Sequence, residues 1–119
     1  MKLPMCCILE TDMDGRPLET KEGKPMYLQH DVYVLMSLLR QVNDEIFAGD
    51  MPLAITLHDK LMAVWKNRGD EVEITDSEAL LLKALLKEPR KNFKPSAPWF
   101  LDMYYVQRTL YGVLKTLST

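Results

Sequence analysis

The sequence is poor in the features that announce a function class. No uncharged apolar run is longer than about five residues, against the ~20 that a membrane-spanning helix requires. The first nine residues carry one basic side chain, Lys2, and the acidic Glu10, Asp12 and Asp14 follow at once, so no secretory leader is expected. Cysteine is limited to the adjacent pair Cys6 and Cys7. Neighbours in sequence cannot close an ordinary intrachain bridge, and they fit no standard zinc-ligand spacing. Reduced thiols in a cytoplasmic protein are the expectation. There is no G-x-S-x-G elbow and no glycine-rich phosphate loop of the G-x-x-x-x-G-K or G-x-G-x-x-G kind. Net charge is missing too. Fifteen basic against 17 acidic side chains leave −2, which argues against a nucleic-acid binder working by overall charge.

What remains is the composition of an ordinary globular domain: 119 residues, 47% hydrophobic and 27% charged. A chain of this length buries about two thirds of its unfolded surface, enough for one hydrophobic core. Collagen, coiled-coil rods, mucin-like and disordered chains are excluded. One domain spanning 1–119 is expected, with a β-meander over 1–28 and a helical bundle over 29–119.

The meander is read from the apolar run Met5–Leu9, turns at Asp14-Gly15 and Glu22-Gly23-Lys24, and a last strand at Met26-Tyr27-Leu28. From about Gln29 the hydrophobic period lengthens to 3.6. Leu35, Leu38, Leu39, Val42 and Ile46 form one stripe, with Asp31 as N-cap and Ala48-Gly49 as the stop. A second helix opens at Asp50 and Pro52, carries Leu53, Leu57, Leu61, Val64 and Trp65, and ends at Arg68-Gly69. Glu71–Ile74 alternates like a short edge strand. Thr75-Asp76-Ser77-Glu78 matches the S/T-x-x-E capping box and starts a helix bearing Leu80, Leu81, Leu82, Leu85 and Leu86. Residues 89–98 read as a proline-containing loop. Pro98 sits in the first turn of a final helix to about Leu117, whose apolar face is Met103, Val106, Leu110, Val113, Leu114 and Leu117. The fold class is therefore mainly α with a small N-terminal β element, about four helices around one core.

Charge is segregated along this frame. Asp70, Glu71, Glu73, Asp76 and Glu78 place five acids in nine residues; Lys83, Lys87, Arg90, Lys91 and Lys94 place five bases in twelve. The basic group, with Phe93 available for stacking, is a candidate phosphate contact. It reads equally as dipole compensation at a helix end followed by a solvated loop. On the final helix a second aromatic set, Phe100, Tyr104 and Tyr111 with Trp99 and Tyr105 nearby, lies off the apolar stripe. Helices apolar on more than one face are deeply buried or serve a partner, and Tyr and Trp suit interfaces. Trp99, Phe100, Tyr104 and Tyr111 are the candidate partner-binding residues, self-association included.

Both histidines precede an aspartate, and the order His30, His58-Asp59, Asp102 resembles the metal-dependent phosphohydrolases of the HD superfamily. That resemblance implies two imidazoles and two carboxylates around a divalent cation. The alternative for the same residues is a helix cap at Asp31 and a solvated flank at His58-Asp59. A broader resemblance covers most of the chain. The turn Asp14-Gly15-Arg16-Pro17, the leucine-clustered helices, the segment Glu73-Ile74-Thr75-Asp76-Ser77-Glu78 and the C-terminal APWFLDMYYVQRTLYG look like small phage and prophage proteins of poorly defined role. It implies a viral accessory protein acting by binding, and it carries over no catalytic residue. The expectation is a non-enzymatic module without cofactor that engages a host or viral protein through the last helix and the preceding basic loop. A small nucleic-acid-associated regulator and the HD-type hydrolase are the alternatives.

Overall fold

The computed structural model describes residues 1–43 and 48–118; Ile46, expected on the first helical stripe, lies outside them. Among the described residues the order is β1 (Lys2–Pro4), β2 (Cys7–Leu9), β3 (Tyr27–His30), α1 (Asp31–Leu39), α2 (Met51–Lys66), β4 (Glu71–Glu73), α3 (Asp76–Lys87), α4 (Pro89–Asn92) and α5 (Tyr104–Leu117). Short 3-10 turns at Ala48–Asp50 and Pro98–Asp102 precede α2 and α5. The fold is mainly helical α+β, as the periodicities predict.

Of the expected strand Met5–Leu9 only Cys7–Leu9 forms, as β2; β1 lies ahead of it, and Met5-Cys6 joins the two. β2 pairs antiparallel with β3, with Cys7 opposite His30 and an irregularity between Ile8 and Leu9. Between them the chain makes two glycine turns. Gly15 (φ 80) and Gly23 (φ 77) take left-handed conformations, and the Asp12 carboxylate and Thr20 hydroxyl accept backbone N–H groups across them. The middle segment is held by backbone bonds from Leu18 N–H to the Glu10 carbonyl and from Met26 N–H to the Leu18 carbonyl. β1 leaves this meander altogether and pairs antiparallel with β4, Leu3 opposite Val72. The terminal amine donates to the Ile74 carbonyl at 2.8 Å, and both Leu3 and Ile74 are buried. The alternation of Glu71–Ile74 thus does produce a strand, whose partner comes from the far end of the sequence.

The core is leucine-rich: Leu35 and Leu38 of α1, Leu57 and Leu61 of α2, Leu82 and Leu85 of α3 and Val106 of α5 are almost wholly removed from water. α1 and α2 pack together, and α5 lies against β3, α3 and α1. Four local expectations need correction. The N-cap of α1 is His30, whose Nδ1 accepts the Tyr33 N–H at 3.4 Å; Asp31 is in the first turn and turns inward. α1 ends at Leu39, well before Ala48-Gly49, because Val42 bridges to Phe93, Lys94 N–H bonds the Gln41 carbonyl, and the Gln41 side chain accepts Ser96 N–H. These tertiary bonds outweigh a helical pattern that local signals would continue. Leu80, counted with the α3 leucines, is exposed. Residues 89–98 are not all loop, since Pro89–Asn92 makes a helical turn, and Pro98 opens a separate 3-10 turn instead of α5.

Two ends behave as instructive contrasts. The capping box of α3 is complete: Glu78 N–H donates to the Thr75 hydroxyl at 3.1 Å and Thr75 N–H donates to the Glu78 carboxylate at 2.8 Å. At the end of α2, Arg68 N–H bonds the Trp65 carbonyl and Gly69 N–H the Val64 carbonyl, a Schellman closure. The left-handed position falls on Arg68 (φ 51), and the glycine comes one residue later than that backbone would favour.

Candidate binding surface

α5 positions two of the four candidate partner-binding residues, Tyr104 and Tyr111. Its inner face, Val106, Thr109, Leu110 and Val113, is buried. Its outer face runs Tyr104, Arg108, Tyr111, Lys115, a spacing of i, i+4, i+7, i+11 that keeps all four on one stripe. Tyr104 is 65% and Tyr111 71% exposed. The Arg108 guanidinium stands 5.9 Å from the Tyr104 ring centroid and the Lys115 ammonium 6.0 Å from that of Tyr111, both cation–π distances. No acidic residue occurs in α5. Trp99, in the preceding turn, is 62% exposed. Phe100 differs from the expectation. It is partly buried against the core and meets Tyr105 edge-on at 6.5 Å, so its ring packs the fold and is not presented outward.

Arg108 is anchored from behind. Its Nε donates to the Gln29 side-chain oxygen at 3.3 Å, and Gln29 Nε2 donates to the Asp31 carboxylate at 2.9 Å. Asp31 is only 2% exposed; its second oxygen accepts Cys6 N–H at 2.9 Å. A buried carboxylate needs such partners, and here they tie Cys6, just ahead of β2, to β3, α1 and α5 in one chain of hydrogen bonds.

Two members of the basic group are engaged with neighbouring acids. Arg90 pairs with Asp102, and Lys91 with Glu88 at 3.4 Å. Lys83 is half-buried, Lys87 and Lys94 are exposed, and Phe93 is in the core rather than available for stacking. The four residues of the HD-type pattern are not assembled. His58 Nε2 accepts from Arg40 Nε at 2.9 Å at the far end of α1 from His30, and Asp102 is engaged by Arg90. Among the described residues no group of three or more His, Cys, Asp or Glu side chains converges as a metal site. Cys6 and Cys7 are unbridged and exposed.

Sequence reasoning missed a second feature. Trp65, placed on the core stripe of α2, is half exposed and stacks on His30, ring centroids 5.0 Å apart and 15° from parallel. Tyr27 meets His30 edge-on at 4.7 Å, and Tyr33 lies 6.0 Å from His30 and 6.3 Å from Trp65. With Tyr104 and Tyr105 these rings line a hollow of about 710 Å³. Burial pushes the His30 imidazole below the ordinary histidine range, Asp31 and its own backbone opposing, so the ring is neutral at pH 7. Burial, assisted by Tyr33, raises the Tyr105 phenol and keeps it protonated. The local signal was the three-residue spacing of Tyr27, His30 and Tyr33 across a strand–helix junction; the closing partner, Trp65, is supplied by tertiary packing. Neither the scan against family models nor the searches of curated proteins and of solved structures found a match to this chain.

Proposed function

We propose that the chain is a protein-binding module, acting by association and not by catalysis, whose contact surface is the outer face of α5 with Trp99 beside it. The observation that carries this is the exposure of three large aromatic side chains, Trp99, Tyr104 and Tyr111, on and next to one helix whose inner face is fully used by the core. Large aromatic rings exposed together along one helix form the kind of patch that marks an interaction site, and Tyr, Trp and Arg are the side chains enriched among binding hot spots. The interleaved Arg108 and Lys115, with no acid on the helix, favour a partner surface that carries carboxylates around an apolar centre. The resemblance to phage accessory proteins makes a host or viral protein in the host cytoplasm the proposed partner.

The test is affinity capture from host lysate, followed by measurement of the captured partner's affinity for the wild-type chain and for the double variant Tyr104→Ala/Tyr111→Ala. Both side chains are exposed, so the variant retains its circular dichroism and melting temperature. Affinity is expected to fall at least ~30-fold, about 2 kcal/mol, the size of an interfacial hot spot. A folded double variant that holds every partner at full affinity would mean the surface lies elsewhere.

A further inference from the structure

The hollow behind the hairpin is a separate feature from the α5 stripe, sharing only Tyr104 at its edge. Its rings come from four parts of the fold: Tyr27 from β3, Tyr33 from α1, Trp65 from α2 and Tyr105 from α5. At about 710 Å³ it falls within the size range of small-molecule sites and is far larger than one inserted side chain needs. Its charge is balanced. Glu10 and Lys24 are the formally charged residues on its lining, one of each sign. An ionic ligand of either sign would meet one attractive and one repulsive charge there, so the lining favours no net ligand charge. The remaining polar groups are neutral: phenol hydroxyls, the Thr20 hydroxyl and the imidazole of His30, whose Nδ1 is occupied by the Tyr33 N–H so that Nε2 carries the hydrogen. Trp65 spends one face on His30 yet stays half exposed, which leaves indole surface to stack on.

We infer that this hollow is a binding site for an uncharged, planar aromatic small molecule, held by stacking on Trp65 and by hydrogen bonds to the neutral groups around it. The inference does not depend on the protein-binding reading: Tyr33 and Trp65 lie off the α5 stripe, so either can fail while the other stands.

Three probes separate the ligand classes on the 119-residue chain. 2-Naphthol is planar and neutral at pH 7, decahydro-2-naphthol has the same skeleton without the aromatic plane, and tetramethylammonium is the cation that a ring of aromatic faces would otherwise favour. Binding is followed by the indole N–H resonance of Trp65 in a ¹H–¹⁵N correlation spectrum, identified by its persistence in Trp99→Phe, with calorimetry for affinity. The expected result is saturable binding of 2-naphthol at least ~10-fold tighter than the other two, with the Trp65 resonance shifting, and a further ~10-fold loss in Tyr33→Ala. Tyr33 is half exposed, so that variant keeps the fold; Trp65→Leu, checked for an unchanged melting curve, is the second. Equal affinity for decahydro-2-naphthol would reduce the hollow to a non-specific apolar surface and overturn the inference. Tighter binding of tetramethylammonium would overturn it in favour of a cation cage. No binding of 2-naphthol up to millimolar concentration would overturn it outright.

Discussion

At the scale of single residues, His30 carries more than its place in the sequence suggests. It caps α1, sits opposite Cys7 in the hairpin, and is enclosed by Tyr27, Tyr33 and Trp65. Enclosure disfavours the imidazolium, so the unfolded chain, where the ring titrates near 6.5, takes up a proton before the folded one does. The sign follows: stability is at its full value above about pH 6.5 and declines as pH falls through the histidine range. His30→Asn preserves a capping acceptor while removing the titration. Urea unfolding measured at intervals between about pH 5 and 7 should show a slope in the wild type and a flatter profile in this variant; identical slopes would assign the pH dependence to another group. Asp31 shows the limit of local reading. An aspartate before a helix is an excellent cap by type, but here the hydrogen-bond needs of Cys6 and Gln29 draw it inside and the histidine takes its place.

Among elements, α3 was the most legible and α1 the least. The capping box that starts α3 is a contact between residues three apart, so sequence alone contains all of it. What sequence does not contain is the Lys60 ammonium of α2, 2.5 Å from the Glu78 carboxylate. Glu78 is 1% exposed, and its second oxygen has no hydrogen-bond partner among the described residues. Burial alone would raise its pKa; Lys60 and the N–H and hydroxyl of Thr75 together more than offset this and hold it below the ordinary carboxylate range. A depressed carboxylate stabilises the fold above its unfolded pKa, near 4.5, and that contribution disappears as pH falls below it. Lys60→Met leaves the buried carboxylate without its cation. At pH 7 the expected cost is about 2 kcal/mol, less than for a fully buried pair because Lys60 is partly solvated. Near pH 3 the wild type has begun to lose the same term and the difference should shrink. A cost that does not change with pH would show that Lys60 acts through packing. α1, by contrast, is cut short at Leu39 by bonds from Gln41 and Val42 to residues more than fifty positions away, which no periodicity reports.

For the whole molecule, the fold class was readable because helical and strand periodicities are local, whereas the site was only half readable. Exposed Tyr104 and Tyr111 follow from their place off the apolar stripe of α5. The fates of Phe93, Phe100 and Trp65 do not, because an aromatic ring satisfies a core and a surface equally well until the neighbours are known. The β1–β4 pair is the clearest case of long-range order, joining the first residues to a strand about seventy positions on. Leu3 is its anchor in the core, and Leu3→Ala should cost about 3 kcal/mol in urea-unfolding free energy. A loss under about 1 kcal/mol would mean that β1 is a dispensable flap. The chain of bonds from Asp31 through Gln29 to Arg108 has a consequence for association as well. An arginine on a bare helix moves among many rotamers, and a partner must freeze them at the moment of contact. Here the guanidinium is already restrained, by a ring at its face and by a buried carboxylate two bonds behind it. The ordering entropy of that side chain is spent when the protein folds, so an encounter at α5 meets a surface whose central cation is already in place.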